Sequence, residues 1–234
     1  MESDFQLCGL PHFAALLATA LAAWWFIRFH RASPAPELQR RVHAILAAVL
    51  VITVFLDPTL TWHRHGADPA AGWRILKANS LPLHLCDLIA LLLAAALLTN
   101  RQRLVEIGYL WGLTGTVQGL ITPGLEYDFP APEYFAFFGQ HGCIPAVAAG
   151  LVFGAGLRPQ PGALWRALGW LNVYLVIIIA LNCLLSTNYG YLNAKPDQAS
   201  LLNFLGPWPW YLLSLEAIAL GFFYLLLLPF RKNP

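Results

Sequence analysis

Three side chains able to do chemistry, His84, Cys86 and Asp87, interrupt a run that is otherwise Leu, Pro, Ile and Ala, and Gln140 with His141 interrupts a second apolar run. A cysteine becomes a nucleophile when a neighbouring base takes its proton. His84 is poorly placed for this, because residues two apart point to opposite sides of a helix, whereas His84 and Asp87, three apart, can pair with each other. His141 is the better base if the fold brings it to Cys86. Glu216 and Asp87 are acids that can orient a histidine, or simply tie helices together through His84 or Asn182. Gln140 and Asn188 carry amides that can donate to a developing oxyanion. The remaining cysteines, Cys8, Cys143 and Cys183, lie in or beside apolar runs and read as small hydrophobes. No CxxC or other zinc-type spacing occurs. Neither a metal nor a cofactor is expected.

These residues need elements to hold them, and composition says what kind. Of the 234 residues, 58% are hydrophobic and 11% charged, less than half the charged share that a soluble globular surface carries. The expected fold class is all-α, a polytopic membrane bundle of about seven helices forming a single domain over the whole chain. The apolar runs place spans near 11–29, 41–62, 81–99, 103–122, 134–157, 164–187 and 208–230. Pro- and Gly-rich breakers separate them at 33–36, 122–124, 158–162 and 206–207. Asn79-Ser80-Leu81-Pro82 reads as a capped start to the third span. The net charge of +2 does not suggest a nucleic-acid partner. Glu2 and Asp4 make the N-terminus unlike the basic start of a cleavable signal.

Orientation follows from Lys and Arg in alternate loops. Arg28, Arg31, Arg40, Arg41, Arg101, Arg103, Arg158, Arg166, Arg231 and Lys232 fall on one side; Arg64, Arg74, Lys77 and Lys195 fall on the other. The expected topology has the N-terminus outside and the C-terminus in the cytoplasm. On that topology His12, His84, Cys86, Asp87, Gln118, Thr122, Gln140, His141, Asn182, Thr187, Asn188, Tyr189, Trp208, Trp210, Ser214 and Glu216 gather at the outer end. The cytoplasmic ends hold little beyond Arg and Glu106. Ionisable groups in lipid are functional candidates by default, so the polarity points to a cavity opening outward.

The run Leu81-Pro-Leu-His-Leu-Cys-Asp-Leu88 resembles the bacterial YwaF-like family of seven-span membrane proteins. The likeness continues at Trp111-Gly-Leu113, Leu120-Ile-Thr-Pro123, Phe138-Gly-Gln-His-Gly142 and Asn188-Tyr-Gly-Tyr-Leu-Asn-Ala-Lys-Pro196. It is most specific at Leu205-Gly-Pro-Trp-Pro-Trp-Tyr-Leu-Leu-Ser-Leu-Glu216. More distantly the chain is similar to a eukaryotic transmembrane acyltransferase that remodels ether phospholipids with a cysteine and a histidine from different spans. By motif these fall on Cys86 and His141. The resemblance implies a lipid acyltransferase or hydrolase of the cell membrane. Its substrate would be a phospholipid or lysophospholipid, with donor and acceptor chains left open. Because acyl-CoA is cytoplasmic and the expected site faces outward, the donor would be a lipid. The competing expectation is a transporter or channel with a relay through His84, Asp87 and Glu216. A further alternative is a membrane protein without chemistry. A retinal receptor is excluded, since Lys77, Lys195 and Lys232 all lie outside the spans.

Overall fold

Backbone immersed in lipid must satisfy its own polar groups, which helices do. The protein is described here from a computed structural model over residues 4–195 and 201–231. Glu2, Pro196 and Lys232, used above, lie outside the described residues. Among those described there is no strand, and the helices are α1 (Leu10–Arg31), α2 (Pro36–His65), α3 (Pro69–Asn79), α4 (Leu85–Thr99), α5 (Gln102–Trp111), α6 (Val117–Ile121), α7 (Pro132–Ala149), α8 (Ala163–Leu185) and α9 (Trp210–Leu227). A π-turn at Gly112–Thr116 joins α5 to α6 in one rod, and a second, Gly150–Gly154, extends α7. The helices α1, α2, α8, α7 with its extension, and α9 with its extension to Phe230 are long and apolar enough to cross a membrane; α4 is a shorter apolar helix. Its 15 residues cover about 22 Å at a rise of about 1.5 Å per residue.

Two local features depart from the sequence expectation. The segment between the second and third runs is not a plain loop but contains α3. Asp68 caps α3 by accepting from the Ala70 and Ala71 amides, and Pro69 occupies its first turn. The third span's helix starts at Leu85 rather than at Leu81. Residues 80–84 form turns, with the Leu83 amide on the Leu81 carbonyl at 2.7 Å. Pro82 disfavours helical backbone at Leu81, and His84 takes the capping position, its amide donating to Asp87 Oδ2 at 3.0 Å. The delay puts Cys86 in the first turn of α4.

The core runs through α2, α4, α5, the π-turns and α7. Lipid offers helices no hydrophobic drive to associate, so close approach through small residues does the joining. Gly108, Gly112, Gly115 and Gly119 make such a stripe along the α5–α6 rod. A β-carbon placed on Gly108 would lie 2.5 Å from Leu93 of α4, and one on Gly112 2.9 Å from Ile144 of α7. On α7 and its extension, Gly142, Gly150 and Gly154 admit Thr19, Phe26 and Ile27 of α1 in the same way.

The other end of the bundle is less bare than the sequence suggests. Glu106, 2% exposed, accepts from the Gln160 amide at 2.9 Å and from Arg166 Nε and Nη2 at 3.1 and 2.7 Å. His30 and His43 are also buried there: His43 Nδ1 meets the Leu97 carbonyl at 2.9 Å, and its Nε2 meets His30 Nε2 at 3.2 Å. A carbonyl can only accept, so His43 Nδ1 carries the proton and His30 Nε2 must donate to His43 Nε2. The expected one-sided polarity is therefore incomplete.

Candidate functional site

The hydrogen bond from Gln140 Nε2 to Asp87 Oδ1, 2.8 Å long and buried, ties the first turn of α4 to the third turn of α7. Asp87 thus spends one carboxylate oxygen on the His84 amide and the other on Gln140; its partner is not the His84 ring. His84 Nε2 faces the Asn79 carbonyl at 3.3 Å instead, and its ring sits edge-on to Tyr189 with centroids 4.9 Å apart. Cys86, half-buried, precedes Asp87 and packs at the edge of the main core cluster. Tyr174 of α8 lies within electrostatic reach of it and donates its hydroxyl to the Leu83 carbonyl at 2.9 Å.

His141 follows Gln140. Its Nδ1 faces the Phe137 carbonyl at 3.0 Å, and its ring stacks on Phe137 with centroids 4.0 Å apart and planes 14° from parallel. The carbonyl fixes the tautomer: Nδ1 holds the proton and Nε2 keeps its lone pair. Gly119 lies against the ring edge, its β-position 2.9 Å from Cδ2 and 3.3 Å from Nε2, with the Phe137 ring also in contact at 3.9 Å. Pro145, inside α7, has no amide to give the His141 carbonyl four residues earlier. Cys86 and His141 share no hydrogen bond among the described residues. They stand one position to either side of the Asp87–Gln140 link.

The remaining expected residues separate from this pair. Glu216 accepts from Asn172 Nδ2 at 2.7 Å and bonds no histidine and not Asn182. Asn188 is consumed by its own loop: its Oδ1 accepts from the Asn193 and Ala194 amides, and its Nδ2 donates to the Ala194 carbonyl. Asn182 holds the same loop through the Tyr189 backbone, Thr187 and Asn193. Tyr189 then reaches across to α4's entrance, donating to the Lys77 carbonyl at 2.7 Å and accepting from the Leu81 amide at 2.9 Å. Burial pushes its phenol above the ordinary tyrosine pKa, so the hydroxyl remains a donor. With Gln140 on Asp87 and Asn188 in its loop, the two amides considered for an oxyanion are already engaged. His12 pins α1 to the Leu120 carbonyl at 2.8 Å, Cys143 lines an apolar groove between α1 and α7, and Cys8 and Cys183 are exposed.

One acid was missed. Asp57 of α2 interacts with the Ser80 side chain and lies within electrostatic reach of His84, Cys86 and Asp87. Ser80 in turn bonds Thr61 at 2.8 Å. The signal was available, since an aspartate after Val51-Ile-Thr-Val-Phe-Leu56 is an ionisable group within an apolar run. Among the described residues no three of His, Cys, Asp and Glu come together to hold a metal ion.

Residues 7–227 match the TMEM164 family. The chain belongs to that family. It is therefore an integral membrane protein, in agreement with its long apolar helices. No curated protein and no solved structure matches it. The family assignment covers α1 to α9 and so includes every residue of the site.

Proposed function

We propose that this TMEM164-family protein is a lipid acyl-transferring enzyme in which Cys86 is the nucleophile and His141 the base. The observation that carries it is the 2.8 Å Gln140–Asp87 bond, which clamps together the helix turns bearing the thiol and the imidazole. The His141 tautomer supports it too, because only a lone pair at Nε2 can accept a proton. In the bundle we infer, α4 with its preceding turns and the α5–α6 rod complete seven crossings. The positive-inside bias then puts the N-terminus, and with it this site, at the outer face of the cell membrane. A phospholipid is the donor there and a lysophospholipid hydroxyl the acceptor.

The chemistry runs in two halves. The Cys86 sulfur attacks the donor's ester carbonyl as His141 Nε2 takes the thiol proton. The carbonyl carbon–oxygen ester bond breaks, and the leaving lysolipid oxygen receives that proton. The acceptor hydroxyl then gives its proton to His141 and attacks the thioester. The new ester forms, the carbon–sulfur bond breaks, and the proton returns to sulfur. Asp87 acts as a positioning residue, holding His84's backbone on one side and Gln140 on the other.

The test uses purified protein in phosphatidylcholine vesicles with a lysophospholipid acceptor and a labelled donor chain. Wild type should transfer the chain and carry it as a hydroxylamine-sensitive thioester, and both should be lost in Cys86→Ala. A Cys86→Ala protein that transfers at the wild-type rate overturns the proposal.

A further inference from the structure

Threonines in helices normally bond a carbonyl one turn back, and this chain follows the habit almost everywhere. Thr19, Thr59 and Thr99 donate to the carbonyls of Ala15, Phe55 and Ala95, four residues back, and Thr53 donates to Leu50. Thr61, Thr122 and Thr187 have partners as well. The two threonines of the π-turn break the pattern: the hydroxyls of Thr114 and Thr116 are buried with no partner among the described residues. The cause is local, because a π-turn bonds five residues apart and moves the carbonyl four residues back out of place. A buried hydroxyl left without a partner is destabilising, and such a turn persists most often where function uses it.

The two hydroxyls do not point the same way. Positions 116 and 119, three apart where the α-helix resumes at Val117, are neighbours on the rod's surface. The glycines around Thr116 map what this part of the rod meets: Gly112 meets Ile144 and Ile89, Gly115 meets Leu85, and Gly119 meets His141. Thr116, only 3% exposed, therefore stands where the rod passes between the α4 turn that bears Cys86 and α7 at His141. Thr114, two residues earlier, projects from another side of the rod. The two amides that the sequence offers as oxyanion donors, Gln140 and Asn188, are committed elsewhere.

We propose that the Thr116 hydroxyl is the donor that binds the substrate's carbonyl oxygen as it gains negative charge, making the π-turn the oxyanion-binding element of the site. This rests on the acyl-transfer reading above. No proton is transferred by Thr116; its hydrogen bond tightens as the carbonyl oxygen becomes an alkoxide and relaxes when the thioester forms. A polar ester group is the ligand chemistry such a hydroxyl fits, in a wall otherwise made of glycine, leucine and isoleucine.

The experiment compares Thr116→Val, Thr116→Ser, Thr114→Val and Cys86→Ala in the same vesicle assay, with thermal unfolding of each protein. Thr116→Val should keep or raise the unfolding temperature while lowering kcat about 100- to 1,000-fold, with KM little changed. Thr116→Ser should restore most of the rate, and Thr114→Val should match wild type. If Cys86→Ala is dead and Thr116→Val is fully active, the Thr116 assignment fails and the acyl-transfer reading stands. If Thr116→Val loses stability in step with activity, or Thr114→Val loses as much activity, the hydroxyl is structural and the assignment fails too. An active Cys86→Ala overturns both.

Discussion

Gly119→Ala should damage the reaction without damaging the fold. The added methyl would sit 2.9 Å from His141 Cδ2 and 3.3 Å from Nε2, against an ordinary carbon contact of about 3.5–4.0 Å. The imidazole must retreat by about 0.6 Å or more, and it has little room to do so. Phe137 stacks on it at 4.0 Å, and the Phe137 carbonyl holds Nδ1 at 3.0 Å. Moving a catalytic group by about 1 Å costs on the order of 100-fold in rate, so transfer should fall by about 10- to 100-fold. Stability should change little, because Gly→Ala inside a helix contributes roughly 1 kcal/mol, which offsets the strain of the displaced ring. The assay is chain transfer in vesicles beside thermal unfolding in detergent. Gly169→Ala is the control: it lies in α8 with open space around its β-position. A Gly119→Ala protein that folds and turns over at the wild-type rate would refute the placement of His141 in the reaction.

Other consequences are simpler. Gly169→Ala itself should stabilise the protein by about 0.5–1 kcal/mol, read as a higher unfolding midpoint, with transfer unaffected. Arg166→Met leaves the buried Glu106 carboxylate with only the Gln160 amide. It should cost about 3–5 kcal/mol, whereas the double change with Glu106→Leu should recover most of that, as denaturant titration of the four proteins will show. Tyr189→Phe removes the hydroxyl joining Lys77 and Leu81. It should cost about 1–3 kcal/mol and speed amide exchange at residues 80–84, the turns that set the start of α4.

Much of the frame could be read from the residues alone. Apolar runs long enough to cross lipid mark α1, α2, α7, α8 and α9, because a spanning helix must be apolar over its whole length. Cys86 and His141 were visible for the complementary reason, that polar groups in such runs are costly. What escaped was set by local competition. Asp68-Pro69 is a good helix start, yet α3 was hidden because Trp73, Ile75 and Leu76 are too few to signal a helix by their periodicity. Pro82 could open a helix or delay one, and the Asp87 carboxylate decides by capping at His84. The partners of Glu216 and Asn188 depend on which helices pack together, which spacing within one helix does not contain. His30 and His43 sit beside arginines of a basic loop, and nothing in that spacing marks them as buried, although each is.

The site also depends on the α5–α6 rod, which supplies neither the thiol nor the base. The stripe Gly108, Gly112, Gly115 and Gly119 was present in the sequence at helical spacing, yet a stripe says only that something comes close. The structure gives the visitors: Leu93, Leu85 and Ile89 from α4, and Ile144 and His141 from α7. Because lipid provides no hydrophobic force to press α4 against α7, and with α2 packed against both, their alignment depends further on two restraints, this shared wall and the Gln140–Asp87 bond. Those two restraints act at different heights along α7, Gly112 at Ile144 and Asp87 at Gln140, so together they fix both the separation and the register of the two helices. A larger residue at Gly112 and loss of the Gln140 amide should therefore impair the site by the same route, through the relative placement of Cys86 and His141. Combined, the two changes should cost less than the sum of their separate effects on the rate, because the second change acts on a register already lost.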